Sequence, residues 1–210
     1  MKRRYIAHLV AGLMLAGSAL AQVTEEAPDA LVKRLSTDVL ETIKADKTIA
    51  MGDTAKVVTL VETKVMPHVN FERMTASAVG PAWRQASADQ KKRLQGEFKT
   101  LLVRTYSGAL SQVSDQVITV KPFRAAADDK EVVVRTEIKG RGDPIQLDYR
   151  LEKTPGAGAG WKIYNLNVLG IWLVETYRSQ FAQEINAKGI DGLITALADR
   201  NKANAAAKKA

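Results

Sequence analysis

The chain has 210 residues, 31 Lys and Arg against 23 Asp and Glu, a formal charge of +8, and no cysteine. That length suits one domain with a sizeable core, and the absence of thiols excludes disulfide scaffolds, cysteine nucleophiles and zinc–thiolate sites. The basic excess is modest and spread, without interleaved aromatics, so nucleic acid is a poor partner, whereas weak attraction to anionic membrane surfaces fits.

At the start, Lys2, Arg3 and Arg4 precede an apolar stretch from Ile6 to Leu15, and Ala19-Leu20-Ala21 completes a small-x-small cleavage pattern. Residues 1–21 therefore read as an export signal, too short to span a bilayer, which takes about 20 apolar residues. Its removal leaves +5 on a chain beginning near Gln22 and destined for the outside of the cytoplasm.

From Pro28 to Ala45, Leu31, Leu35, Val39, Leu40 and Ile43 recur at spacings of three and four and predict an amphipathic helix. Asp53 is a candidate cap for a second helix carrying Val57, Val58, Leu60, Val61 and Val65 and stopping near Pro67; a short third carries Phe71, Met74 and Val79 and ends at Gly80-Pro81. Ser87 with Gln90 forms a capping box ahead of a long helix whose inner face reads Leu94, Phe98, Leu101, Leu102, Thr105 and Leu110.

After Gln116 the period changes to two. Val117–Lys121 is a short strand; Val132, Val134, Thr136 and Ile138 alternate with polar or solvent-facing neighbours; Ile145, Leu147, Tyr149 and Leu151 do the same after a turn. The Gly/Ala stretch at 155–160 connects to a returning strand, Trp161–Val168. Gly170 leads into a helix bearing Ile171, Trp172, Val174, Tyr177, Phe181 and Ile185 and ending at Gly189, and Asp191 opens a last short helix. The expectation is an α+β domain over residues 22–202, a four-stranded antiparallel sheet covered on its apolar face by helices, with a frayed Ala/Lys tail at 203–210.

Chemistry is scarce. His8 lies in the leader, leaving His68 as the one imidazole of the exported chain, which with no cysteine gives metals few ligands. No serine sits in a G-x-S-x-G elbow, the glycines at 156, 158 and 160 lack the Lys-Ser/Thr ending of a phosphate loop, and Asp128-Asp129 and Glu25-Glu26 lie in polar stretches. The pattern favours binding over catalysis, with two alternatives standing: a small enzyme using His68 or an aspartate as acid/base, and an adaptor whose apolar faces meet protein helices.

Two stretches carry a family resemblance. Val65-Met66-Pro67-His68-Val69-Asn70-Phe71, continuing through Met74, Gly80-Pro81-Ala82-Trp83-Arg84, Gln90, Phe98, Leu101-Leu102 and Arg104-Thr105-Tyr106, resembles the signature half of the MlaC-like toluene-tolerance family. Trp161-Lys162-Ile163-Tyr164-Asn165, with Gly170, Leu173-Val174, Tyr177-Arg178, Gln180-Phe181 and Gly189-Ile190-Asp191-Gly192-Leu193-Ile194, resembles its C-terminal signature. The chain departs from the commoner pattern at Asn165, where Asp is frequent, at Leu169, where an acid is, and at Trp172, where Ser is.

The resemblance implies a periplasmic phospholipid carrier on a cone similar to nuclear transport factor 2 with added helices. Its partners would be an outer-membrane lipoprotein complex and an inner-membrane ABC transporter complex with a lipid-binding ring. It would hydrolyse nothing and need no metal or cofactor, the phospholipid being cargo; the family's older name also suggests solvent binding in an efflux system. At about 0.8 kcal/mol per methylene, two acyl chains require a dry apolar cavity. Its expected sheet wall is Val132, Val134, Ile138, Leu147, Tyr149 and Leu151, and its helical wall Phe98, Leu102, Tyr106 and Val174. Arg84, Arg104 and Arg141 are candidates for the lipid phosphate, which suits their planar donors.

Overall fold

The computed structural model describes residues 25–110, 115–140 and 143–207; the expected leader and Arg141 lie outside them. Helix α1 (Pro28–Ala45) begins with Pro at its first turn and buries Leu31, Val32, Leu35 and Ile43. A one-turn helix, α2 (Lys47–Ala50), follows, capped by Asp46, which accepts from the Thr48 amide at 2.9 Å. Asp53 caps α3 (Thr54–Leu60) as its position in the sequence suggests, accepting from the Ala55 and Lys56 amides at 2.9 and 3.2 Å. Instead of stopping cleanly, the chain then widens into a π turn at Val61–Val65 and tightens into a 3-10 turn at Met66–His68 around Pro67.

Helix α4 (Phe71–Val79), capped by Asn70, ends at Gly80, and a 3-10 turn leads to α5 (Ala88–Leu110). The capping box forms in both directions: the Gln90 amide donates to Ser87 Oγ at 3.1 Å and the Ser87 amide to Gln90 Oε1 at 3.0 Å. On α5, Leu94, Phe98 and Leu101 face inward, but Thr105 is exposed and Ser107 is the buried residue of that turn.

Among the described residues the sheet has five strands, not four, in the order β1 (Val117–Val120), β2 (Glu131–Lys139), β3 (Ile145–Lys153), β4 (Trp161–Val168) and β5 (Ile171–Trp172), every pair antiparallel. Ile171 and Trp172 read as helix because their apolar spacing runs on into Val174 and Tyr177. Positive φ at Leu169 (52°) and Gly170 (87°) instead turns the chain back, so that Trp172 pairs with Asn167. Helix α6 (Leu173–Ala207) is two helices joined at Gly189, whose φ of 71° makes the break expected at that residue. It continues to Ala207, so the segment from 203 to 207 is helical rather than frayed, in keeping with the high helix propensity of alanine.

Apolar side chains gather in three clusters. The largest joins α4, α5 and α6 around Phe98; the second joins α1 to the sheet through Leu31, Val32, Leu35, Val134, Leu151 and Ile163; the third is a small group of Ile43, Ile49, Val57 and Leu60 beneath α3. Val69 and Leu166 touch both larger clusters, and Val39 touches the second and third.

Candidate functional site

Strand register puts the expected sheet-wall residues on one face. Val132, Val134, Thr136 and Ile138 of β2 lie opposite Leu151, Tyr149, Leu147 and Ile145 of β3, and β4 continues the row with Ile163, Leu166 and Val168. The face is not uniformly covered. At the end beneath the start of α1, Val132, Val134, Leu151 and Ile163 are buried; at the other end Ile138, Leu147, Leu166 and Val168 are half-buried and Ile145 is 40% exposed. Tyr149 stands at the boundary, its hydroxyl 3.1 Å from that of Ser36 on α1, and burial pushes its phenol up to about 12.

The expected helical wall divides. Phe98 is fully enclosed, its ring centroid 4.9 Å from Tyr177 and 5.1 Å from Phe181, both edge-on, and Val174 is buried in the same cluster. Leu102 and Tyr106, one turn apart on α5, are half-buried at the margin of that cluster, as Leu166 and Val168 are from the sheet side. Leu102 and Tyr106 therefore sit at the margin of the helical core, whereas Phe98 and Val174 are packed into it.

The arginines also separate. Arg84 is exposed, while Arg104 is half-buried and donates to the Asn201 carbonyl, tying α5 to α6. Arg104 lines a cleft of about 380 Å3 between α3 and α5, together with Lys99, Thr100 and Val103 from α5 and Thr54, Val58, Val61 and Glu62 from the facing segment. Lys99, Glu62, Leu166 and Val39 had no place among the expected site residues. The lysine and glutamate look like ordinary surface charges in sequence, and Leu166 follows a β-bulge that hides its phase.

His68 sits half-buried in the 3-10 turn, where burial and then the cations Arg34 and Lys162 hold its pKa below the usual imidazole value. Among the described residues no three His, Asp or Glu side chains group to hold a metal ion. None of the described helices is long and apolar enough to cross a membrane.

The opposite sheet face is polar, with one clamp at each side. Arg73 of α4 reaches Glu131 and Glu152, each at 2.5 Å, and Arg150 pairs with Glu175 at the start of α6. Asn165 caps α6: Oδ1 accepts from the Val174 amide at 3.1 Å and Nδ2 donates to Glu175 at 2.8 Å. An aspartate at 165 would have no donor for that second bond.

An antiparallel sheet with one apolar face, half covered by α1 and flanked by a helical core, is an α+β architecture. A phospholipid-binding protein from Ralstonia solanacearum, solved in complex with a phospholipid, shares it: TM-score 0.82 and 46% identity over 86% of this chain and 99% of that one. The intermembrane phospholipid transport system binding protein MlaC of Haemophilus influenzae is 26% identical over 175 residues, 82% of this chain and 81% of its own. Toluene tolerance protein ttg2D of Pseudomonas putida is 28% identical over 181 residues, 85% of this chain and 82% of its own. The profile of the MlaC protein family matches residues 33–199, and the chain belongs to that family.

Proposed function

We propose that this protein is a periplasmic phospholipid carrier. It holds acyl chains against the apolar sheet face and shuttles lipid between the outer and inner membranes as the soluble component of an ABC-transporter-linked lipid-asymmetry pathway. The observation that carries the reading is the uneven cover of that face. Ile138, Leu147, Leu166 and Val168 are half-buried and Ile145 is exposed, where a core built only for stability would close over them. The phospholipid held by the Ralstonia protein, at 46% identity over nearly all of its length, supports the same reading.

In this reading the sheet and helices form a cone whose hollow runs between α1, α5 and the open end of the sheet. Sliding apart of the three apolar clusters, which share only a few bridging residues, enlarges it to take two chains. Burial at about 0.8 kcal/mol per methylene supplies retention, and the headgroup stays near solvent. No bond is made or broken, and the chain passes its cargo to an outer-membrane lipoprotein complex on one side and an inner-membrane transporter with its lipid-binding ring on the other.

A transfer assay tests this. Donor vesicles carrying a self-quenched acyl-labelled phospholipid are mixed with unlabelled acceptors, and the protein is expected to accelerate dequenching in proportion to its concentration. Dequenching at the protein-free rate would contradict the carrier reading.

A further inference from the structure

The cleft between α3 and α5 lies beside the third apolar cluster, against which Val61 and Val103 pack, and it adds cations to that apolar lining. Val58, Val61 and Val103 line it together with Lys99, Arg104, Thr54 and Thr100, and the Thr100 hydroxyl donates to the Gly96 carbonyl of its own helix. Val58 is 41% exposed although it faces other valines. Valine side chains beside a lysine and an arginine are the lining that a phosphate ester with attached methylenes would match.

The cleft is occupied by its own counter-ion. Glu62 reaches across from the π turn to Lys99, Oε1 to Nζ 2.5 Å, with both side chains substantially exposed. An exposed pair of this kind contributes about 0–1 kcal/mol, so an arriving phosphate can take the carboxylate's place at little cost. Glu62 stands where the backbone has the widened π geometry, one step from regular helix, and a change of register there moves its carboxylate. Arg104 donates through Nη1 to the Asn201 carbonyl, which ties its guanidinium to α6. The segment above the cleft rests on the smallest of the three apolar clusters, the one that Val39 links to the sheet.

We propose that this cleft seats the phosphate group of the lipid, with Lys99 and Arg104 as its cations, and that Glu62 is a built-in competitor which holds the site closed when no lipid is present. The proposal rests on the carrier reading and adds to it a headgroup position and a route for release, since the carboxylate that returns to Lys99 displaces the phosphate.

The test is calorimetric titration of delipidated protein with dihexanoylphosphatidylglycerol, with glycerol 3-phosphate as a chain-free arm. Lys99→Gln is expected to weaken lipid binding about tenfold, equivalent to about 1.4 kcal/mol, and Glu62→Gln to strengthen it several-fold. Val58→Asp should weaken the lipid further, and Lys188→Gln, on the remote part of α6, should change nothing. Unchanged affinity in both Lys99→Gln and Glu62→Gln, with wild type binding lipid, overturns the cleft assignment and leaves the carrier reading standing. Glycerol 3-phosphate binding as tightly as the lipid overturns the lipid assignment in favour of a free phosphate ester. Wild type that binds no lipid overturns both. All four substitutions fall on exposed or half-buried side chains, and a thermal melt of each variant is to check that it folds.

Discussion

The guanidinium of Arg73 lies 3.6 Å above the ring of Tyr164, and its two arms reach Glu131 and Glu152. Tyr164 is the extra residue of the β4 bulge, where the register jumps from Arg150 opposite Asn165 to Leu151 opposite Ile163, and its hydroxyl donates to Glu131 at 2.8 Å. One side chain of α4 thereby fastens three strands from their polar face and fixes the tilt of the helical core against the sheet.

Arg73→Ala should lower stability by about 2 kcal/mol, through loss of a half-buried ion pair and a cation–π contact, and the melting temperature by about 4–8 °C. Hydrogen bonds from Arg73 and then Tyr164 hold the Glu131 carboxyl below its usual range. A carboxyl whose pKa is lower in the folded chain contributes stability that is full above its unfolded value, about 4.3, and is lost as pH falls through the folded value. Denaturant melts should accordingly show the gap between wild type and Arg73→Ala constant near neutrality and narrowing below about pH 4.

Tyr149 gives the alkaline counterpart. Its phenol, pushed by burial up to about 12, keeps its proton when the unfolded chain has lost it, so stability should fall as pH rises from about 10 to about 12. Tyr149→Phe removes that slope and, by leaving the Ser36 hydroxyl without its partner, costs about 1 kcal/mol at neutral pH. Absorbance at alkaline pH should lose one late-titrating tyrosine.

The capping box predicts a separate loss. Ser87→Ala removes the acceptor for the Gln90 amide and should destabilise by about 1 kcal/mol in thermal melts. Gln90 also donates to Asp191 at 3.0 Å, so the same change loosens the junction between α5 and the second half of α6. Hydrogen exchange should quicken in the first turn of α5 and around Asp191.

Leu169 is 64% exposed and holds φ of 52°, a region costly for a branched side chain, at the tip of the β4–β5 hairpin. Leu169→Asn places Asn-Gly in a turn that favours it and should raise the melting temperature by about 2–4 °C per kcal/mol gained, up to about 1 kcal/mol. A melting temperature below that of wild type would mean that the leucine side chain makes contacts that stabilise the tip.

Much of this fold was legible because its signals are local. The caps at Asp53 and Ser87, the break at Gly189 and the two-residue alternation of β2 and β3 each depend on side chains a few positions apart. What was not legible depends on geometry that periodicity does not carry. The two-residue β5 follows from a positive φ at a leucine, which no pattern of apolar residues announces, and α2 is a single turn with too few residues to show a period. The candidate site divides in the same way. Register aligned the sheet residues as alternation implies, but the helical wall was read as one face, although Phe98 and Leu102 differ in cover: Phe98 is sealed among aromatic rings, whereas Leu102 is half-open. Lys99 and Glu62 become a pair only because the π turn brings one helix over another.

Leu147, half-buried on the sheet face and packed against the cluster under α1, stands where the carrier reading expects acyl chains. A charge there must be buried against hydrocarbon, so Leu147→Asp should reduce lipid retention about tenfold or more while the variant still folds. Equal retention by wild type and variant in a delipidation time course would move the acyl chains away from this face.

Native mass spectrometry of the purified protein tests the central claim most directly. The account predicts a population heavier than the bare chain by the mass of bound phospholipid, converted to the bare mass by solvent extraction, with the phospholipid recovered in the organic phase. A single species at the bare mass, before and after incubation with phospholipid vesicles, would contradict it.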